Sequence, residues 1–310
     1  MGSSSRSKPR RKKTGLSVAT LAGTVLLCWG AWSLTQQNPA IGTAALEHAK
    51  ALVALGPRPS GSEPHREMQR YITRQLEAAG AAVEQIPFVA QTPIGPVSMN
   101  NIVGRVAGGT NRVFVLATHY DTKREAGFRF VGANDGGSST GLLLALAPLL
   151  AKRALDHEIW LVFFDGEEAF EQWTESDSLY GSRQLAAKWK TDGVLPRIGA
   201  FLLVDMIGDA DLDLLRDTNS TPWLRDQVWR VAHRLGHSRH FLDQDGAYED
   251  DHLPFVRAGV PAVDLIDLNY GPGGRYWHSP EDTLNKLSAR SLEIVGQVLL
   301  ETLSELDRQH

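Results

Sequence analysis

The chain has 310 residues, of which 42% are hydrophobic and 22% charged, and this composition excludes a disordered chain, a coiled-coil rod and a disulfide-stapled miniprotein. Six of its 32 basic residues and none of its 36 acidic residues precede Thr14, so the remaining chain is acidic, which argues against a nucleic-acid binder. The single cysteine, Cys28, excludes an intrachain disulfide and a cysteine-based zinc site.

The amino terminus has the pattern of an export signal. Residues 15–34 carry no charge and directly follow the basic tail 1–14, and positive charge in this position stays on the cytoplasmic side of a membrane. A helix of this length is about 30 Å long, enough to span a bilayer. We predict a retained membrane anchor, with a cleaved signal peptide as the alternative, then a linker over 35–43 and a catalytic domain over 44–310. The domain is expected outside the cytoplasm, on the periplasmic or lumenal side, and is secreted if the segment is cleaved.

Apolar runs alternate with helical patterns from residue 44 onward. The first clear helix is predicted from Ser62, its cap, to Gly80, its stop, with Pro64 in the first turn. Near-continuous apolar runs predict strands buried on both faces, at 113–117, 159–164, 201–204 and 262–266. Helical patterns occupy 139–152, 179–190, 222–235 and 288–306. The predicted fold class is α/β, a single globular domain with a central, mostly parallel twisted sheet flanked by helices.

Acidic and imidazole side chains follow the predicted strands. His119 and Asp121 come after the first strand, and Asp205 comes after the third. In open α/β sheets ligands bind outside the carboxyl ends of the strands, so several segments are expected to converge there. Each residue alone has an ordinary alternative, such as a helix cap, a turn or a solvated surface. The candidate set is His119, Asp121, Asp135, Glu167, Glu168, Asp205, Asp250, Asp251 and His278.

This set contains carboxylates and imidazoles without cysteine, which suits a catalytic zinc ion that keeps one position open for water or substrate. Glu167 and Glu168 are adjacent in the chain, after the second predicted strand. Adjacent side chains point apart, so both are not expected to bind one ion in the same way. One of them can hold the metal while the other faces the substrate as a general base.

Several motifs resemble one family in order along the chain. They are GPRPSGS from Gly56, THYDTK from Thr118, VGANDGG from Val131, the EEAF–Trp173–DSLYGSR stretch from Glu167, LLVDMIGD from Leu202, DDHLPFVRAGVP from Asp250 and WHSPEDTLNKL from Trp277. From about residue 52 to residue 300 the chain resembles the animal-type glutaminyl-peptide cyclotransferases, also called glutaminyl cyclases. That family shares its fold with zinc-dependent aminopeptidases, so the resemblance implies a zinc-exopeptidase-like domain.

The resemblance also implies an activity, the cyclisation of N-terminal glutaminyl residues of peptides or proteins to pyroglutamyl residues with release of ammonia. N-terminal glutamate is an alternative substrate. It implies one zinc ion per chain, with the ligands Asp135, Glu168 and His278. Glu167 becomes the general base and acid, Asp205 a carboxylate bonded to it, and Asp250 a further partner, although Asp251 is not distinguished from Asp250. Trp173 and Trp277 resemble indoles that line the substrate pocket, against the alternative of ordinary core packing. His119 and Asp121 are implied to be structural.

The chain departs from the family pattern at three places. Thr118 and Thr140 stand where animal enzymes of the secretory pathway commonly carry a disulfide, so loop rigidity is expected to come from packing. Asp264 stands where those enzymes have a histidine. The loop 267–276 is longer and rich in glycine, which puts substrate preference in doubt more than the chemistry.

Two other functions stay open at this point. The first is a two-zinc aminopeptidase, in which His119 and Asp205 hold a second metal ion and Asp135 bridges the pair. The second is an inactive, membrane-tethered peptide-binding protein. It is less favoured because every predicted ligand and the predicted base are present.

Overall fold

The computed structural model describes residues 1–4 and 41–309. The predicted anchor at 15–34 lies outside the described residues, so both the anchor and its cleaved alternative stay predictions. In the described ranges no helix is long and apolar enough to cross a membrane. Within the described range 41–309 the first helix starts at Ile41.

The central sheet has six strands, in the order β1-β2-β4-β3-β5-β8. Their bounds are Ala82–Thr92 for β1, Gly95–Val106 for β2, Val113–His119 for β3, Glu158–Phe164 for β4, Ile198–Asp205 for β5 and Ala262–Ile266 for β8. The strands β4, β3, β5 and β8 are parallel, which confirms the predicted parallel centre of the sheet. At one side, β2 pairs antiparallel with β4 and β1 pairs antiparallel with β2. Two short parallel strands, β6 at Leu214–Asp217 and β7 at Phe241–Gly246, form a separate small sheet.

Seven helices belong to the described part of the chain. They are α1 at Ile41–Val53, α2 at Glu63–Ala78, α3 at Gly137–Leu150, α4 at Tyr180–Thr191, α5 at Pro222–Arg234, α6 at Leu253–Arg257 and α7 at Ala289–Gln309. The predicted cap of α2 is confirmed, since Ser62 Oγ accepts a hydrogen bond from the His65 backbone N–H at 3.3 Å. The four predicted helices after residue 137 also form, with bounds that differ by a few residues.

Helices cover both faces of the sheet, as the continuous apolar strands predicted. Phe114 and Leu116 face one side, where they pack with α1, α2, α3, α5 and α7. Val113 and Val115 face the other side, where they pack with α4 and α6. All seven residues of β3 are buried, which is the pattern expected of a central parallel strand.

The register of the sheet brings the carboxyl ends of the parallel strands to one edge. His119 at the end of β3 lies beside Phe164 at the end of β4, and Asp205 at the end of β5 lies beside Ile266 at the end of β8. The segments that leave these four strands therefore start from neighbouring positions. This edge is where an open α/β sheet places its ligand site.

Candidate active site

A cavity of about 270 Å³ opens at this edge of the sheet. All eight residues to which the resemblance assigned a metal-binding, catalytic or substrate-binding role line it, namely Asp135, Glu167, Glu168, Trp173, Asp205, Asp250, Trp277 and His278. The other members of the candidate set, His119, Asp121 and Asp251, do not line it. Seven more residues complete the lining, and they are Lys123, Met206, Ala247, Tyr248, Glu249, Ile266 and Leu268. Between Asp250 and Asp251, which the sequence did not distinguish, Asp250 faces the cavity.

Three of these residues offer metal-binding atoms at close range. His278 Nε2 lies 3.2 Å from Asp135 Oδ2 and 3.2 Å from Glu168 Oε1, and the three donor atoms lie within 4.8 Å of one another. Glu168 Oε2 is buried and accepts no hydrogen bond from the described residues. Two carboxylates and an imidazole suit zinc, whose bonds of about 2.0–2.2 Å put its ligand atoms roughly 3.3 Å apart. The three residues therefore fit a zinc ion.

The loop that carries Asp135 is fixed through its backbone. Asp282 Oδ1 accepts hydrogen bonds from the Asn134 N–H at 2.8 Å and from the Tyr270 hydroxyl at 2.8 Å. Its other oxygen, Oδ2, accepts from the Asp135 N–H at 3.2 Å. Asp282 lies only four residues after His278, so one short segment both supplies a candidate ligand and positions the backbone of another.

The same loop is also held by Arg58, whose side chain is completely buried. Its Nη1 donates to the carbonyls of Gly56 and Val131 at 2.8 Å each, and its Nη2 donates to the Gly132 carbonyl at 3.1 Å. Burial lowers the pKa of Arg58 to about 10, so the guanidinium stays cationic at neutral pH. Sequence reasoning noted the motif GPRPSGS but assigned no role to this arginine.

The adjacent glutamates are also positioned by their backbone. Asp121 accepts hydrogen bonds from the Glu167 N–H at 3.2 Å and from the Glu168 N–H at 3.4 Å. This contact agrees with the structural role implied for Asp121. His278 reaches the site from a backbone with φ of 44°, a left-handed conformation that costs a non-glycine residue about 1–3 kcal/mol and is typical of functional sites.

Glu167 lies in an acidic environment. Burial raises the pKa of its carboxyl well above the usual range; His119 opposes the shift, and the charges of Glu168, Asp250 and Asp251 add to it. Within the described part of the chain, no hydrogen bond joins Asp205 to Glu167, although the resemblance implied one. Asp205 Oδ1 pairs instead with His119 Nε2 at 3.1 Å, because the imidazole stands between the two carboxyl groups.

His119, Asp135 and Asp205 form a second set of possible metal ligands. His119 Nε2 lies 3.3 Å from Asp135 Oδ1 and 3.1 Å from Asp205 Oδ1. Asp135 therefore belongs to both sets, with one oxygen toward each histidine. The two sets differ in position, because Asp135, Glu168 and His278 all line the cavity whereas His119 does not.

The mouth of the cavity is aromatic. The side chains of Trp173 and Trp277 are 39% and 45% exposed, so the alternative of ordinary core packing is wrong for both. Trp277 stacks on the His278 ring, with the ring centroids 4.3 Å apart. Trp173 Nε1 donates a hydrogen bond to Glu249 Oε2 at 3.4 Å. Sequence reasoning missed Glu249, although it directly precedes Asp250 in the chain.

Lys123 is the second lining residue that carries charge and was missed. Its Nζ lies 3.8 Å from Glu168 Oε2. The sequence feature that could have identified Lys123 as a lining residue is its position two residues after Asp121, in the segment that leaves β3. It is the only lysine or arginine in the lining of a cavity whose other charged side chains are mostly acidic.

The departures from the family pattern have structural counterparts. Thr118 Oγ1 donates to Ser139 Oγ at 2.7 Å, and Thr140 Oγ1 donates to the His119 carbonyl at 3.1 Å. Hydrogen bonds thus join β3 to α3 at the two positions where the family pattern has a disulfide. Asp264 is completely buried, and burial together with the charges of Asp250 and Asp217 raises the pKa of its carboxyl well above the usual range.

Comparisons with known proteins agree with this geometry. The family described as Peptidase family M28 matches residues 101–303. The glutaminyl-peptide cyclotransferase of Drosophila melanogaster is 33% identical over 271 residues, covering 79% of this chain and 76% of that protein. The crystal structure of an Acidobacteriales bacterium glutaminyl cyclase has a TM-score of 0.83 at 45% identity, over 87% of this chain and 96% of its own. A leucine aminopeptidase precursor from Bacteroides thetaiotaomicron has a TM-score of 0.77 at 26% identity, over 84% and 96%.

Proposed function

The chain belongs to peptidase family M28 and, within it, to the glutaminyl-peptide cyclotransferases. From this membership we propose that its cavity converts N-terminal glutaminyl residues of peptides and proteins to pyroglutamyl residues with release of ammonia. N-terminal glutamate is the alternative substrate. The observation that carries the proposal is the placement of Glu167 beside a set of zinc-type ligands, inside a cavity whose mouth is aromatic.

Asp135, Glu168 and His278 would hold one zinc ion in the proposed site. This set is favoured over the one that contains His119 because each of its members lines the cavity that would receive the substrate. A zinc ion in this position supplies Lewis-acid chemistry toward the γ-carbonyl group of the glutamine side chain.

Glu167 acts as the general base and then as the general acid. The substrate α-amino group has an ordinary pKa of about 7.7–8.0 and reacts as the neutral amine. Its nitrogen forms a bond to the γ-carbonyl carbon, and Glu167 takes the proton that this nitrogen loses as the bond forms. The bond from that carbon to the side-chain nitrogen breaks, and the proton on Glu167 leaves with the ammonia.

The other lining residues orient the substrate and limit the access of water. Because the attack is intramolecular, the cavity needs only to hold a compact conformer in which the two reacting atoms are close, and such orientation contributes several kcal/mol. Trp173 and Trp277 line the cavity, so their indole rings can cover a bound glutaminyl residue and keep water from it. Water is the competing nucleophile in this site, so its exclusion favours cyclisation over hydrolysis.

A two-metal aminopeptidase is the second candidate function, and the set of His119, Asp135 and Asp205 is the observation that favours it. The distances within this set match those of the first set, so both could bind metal. A second ion would supply an activated water rather than orient an amine. The number of ions per chain therefore separates the two candidates.

The test combines two product assays with a metal count. Purified, zinc-loaded protein is given a Gln-initiated peptide in a coupled ammonia-release assay, beside a neutral peptide in an assay for released amino acids. We expect ammonia from the first, no amino acid from the second and about one zinc ion per chain. Free amino acid with two zinc ions per chain would instead establish the aminopeptidase.

We also propose that the catalytic domain works outside the cytoplasm. The proposal rests on the sequence of residues 1–34, in which a basic tail precedes an uncharged apolar segment. Alkaline extraction of membranes tests the anchor, because a retained segment keeps the protein in the pellet. The mass of the mature protein distinguishes a retained segment from a cleaved one.

A further inference from the structure

The rim of the cavity, defined here as the exposed residues of its lining, has an unusual composition. It consists of Trp173, Ala247, Glu249 and Trp277. All other acidic residues of the lining are buried, so Glu249 is the one lining carboxylate that solvent reaches readily. Among the described residues, the rim contains no lysine or arginine. Two indoles and a carboxylate without a cation form an environment that attracts a positively charged group.

Trp173 and Glu249 are presented side by side. The indole N–H of Trp173 donates to Glu249 Oε2 at 3.4 Å, which turns the edge of the ring toward the carboxylate. Nearly two fifths of the Trp173 side chain is exposed, and no cation of the described residues lies over its ring. The face of the indole is therefore available to a ligand next to the carboxylate.

The segment that carries Trp173 is held in place before any ligand binds. Asp177 Oδ2 accepts hydrogen bonds from the backbone N–H groups of Glu171 and Gln172 at 2.9 and 3.0 Å, and Oδ1 accepts from Phe170 at 2.9 Å. Three bonds to one carboxylate fix the backbone up to the residue before Trp173. A preorganised surface loses less entropy on binding than a mobile one.

We propose that Glu249 and Trp173 form a subsite for the side chain of the substrate's second residue, and that this subsite selects lysine or arginine. The inference rests on the proposed function, because a glutaminyl residue that fills the cavity leaves its peptide chain to pass over the rim. The second residue is the first one outside the cavity. Its cationic side chain can lie on the indole face while its charge pairs with the Glu249 carboxylate.

The expected selectivity is modest, because both contacts are exposed to solvent. An exposed ion pair and an exposed cation–π contact together correspond to roughly a three- to tenfold preference for lysine over alanine. The preference should appear in KM rather than kcat, because the second residue makes the same contacts in the ground state and in the transition state. It should also weaken as salt screens the charges.

The experiment compares three amidated peptides that begin with Gln-Lys, Gln-Ala and Gln-Glu, with ammonia release as the readout. For the wild-type protein we expect kcat/KM to fall in that order, with roughly a three- to tenfold step from lysine to alanine. Glu249→Gln should lower the ratio of lysine to alanine to roughly twofold, because only the exposed cation–π contact with Trp173 remains, and Glu249→Lys should make the glutamate peptide the better substrate of the two charged peptides. Glu175→Gln is the matched control, because Glu175 is exposed in the same segment as Trp173 but does not line the cavity, and its ratio should equal that of the wild type.

The outcomes separate the subsite from the proposed function. Equal kcat/KM values for the three peptides, or a ratio of lysine to alanine that stays at the wild-type value in both Glu249 variants, would overturn the subsite while leaving the cyclase activity intact. The absence of ammonia from all three peptides with zinc-loaded protein would overturn the proposed function and the subsite with it.

Discussion

The buried guanidinium of Arg58 offers a sharp test of how the candidate zinc site is held together. We expect Arg58→Met to destabilise the protein and to weaken zinc binding, although Arg58 itself touches no metal ligand side chain. The variant keeps an unbranched apolar stem in the same space but removes the donors to the Gly56, Val131 and Gly132 carbonyls. Those three buried oxygens are then left without their partner.

The magnitude follows from these three bonds. A hydrogen bond to a charged group contributes about 1.5–3 kcal/mol, and relief of the buried charge offsets part of the sum. We therefore expect the free energy of unfolding to fall by about 3–5 kcal/mol, and Tm to fall by roughly 10 °C. Because Val131 and Gly132 lead directly to Asp135, we also expect zinc affinity to fall by about 10–100-fold, the usual effect of losing a residue that orients a metal ligand.

The assays are urea denaturation followed by circular dichroism, for the free energy of unfolding, and competition with a chromophoric chelator, for zinc affinity. Arg58→Lys keeps the charge with fewer donors and should fall between the wild type and Arg58→Met in both measurements. Arg74→Met is the control, because Arg74 is exposed in helix α2, and it should stay within about 0.5 kcal/mol of the wild type. A loss below about 1 kcal/mol for Arg58→Met, or unchanged zinc affinity in a destabilised Arg58→Met protein, would refute the reasoning.

Three further predictions concern the site and the segment beside it. Glu167→Gln should bind zinc like the wild type but lose about 10²–10⁴-fold in kcat, measured by ammonia release after metal analysis, and normal turnover would remove Glu167 from the mechanism. Glu168→Ala and His278→Ala should each lose zinc on dialysis, and full occupancy in both would contradict the ligand assignment. The pKa of the Asp177 carboxyl is lowered because, although burial raises it, three backbone N–H groups and a tyrosine hydroxyl donate to it. Such a group stabilises the fold above its ordinary pKa of about 3.9 and loses that contribution as pH falls through the lowered value. The difference in free energy of unfolding between wild type and Asp177→Asn should therefore be full at pH 6 and shrink below about pH 4. A difference that does not depend on pH would contradict this origin.

The parallel centre of the fold could be predicted because burial on both faces leaves a continuous apolar signal. Every residue of β3 is buried, and its sequence contains only apolar residues until Thr118. Strand β1 gives no such signal, because it lies at the edge of the sheet and carries Glu84, Gln85 and Pro87 on a mostly exposed surface. The hairpin of β1 and β2 was therefore not predicted.

The candidate site was predictable where side chains match a known pattern, and not where their role depends on the backbone of a distant segment. Asp135 and His278 could be assigned only through the family resemblance, since no periodicity relates positions so far apart in the chain. The partners of Arg58 are backbone carbonyls, which leave no trace in residue type. An arginine in the sequence is expected at the surface. Only the fold reveals that the guanidinium of Arg58 is buried and donates hydrogen bonds to backbone carbonyls.

The positions of Arg58 and Asp282 show how two candidate ligands from distant parts of the chain, Asp135 and His278, are positioned together. Arg58 binds carbonyl oxygens of the loop 131–135, and Asp282 binds N–H groups of the same loop. Arg58 thus holds acceptor groups of the loop backbone, and Asp282 holds donor groups of the same backbone. Since Asp282 and His278 share one short segment, a shift of that segment moves the imidazole and the Asp135 backbone together. The spacing between these ligands is therefore fixed by the protein before any ion binds, which lowers the reorganisation that binding requires.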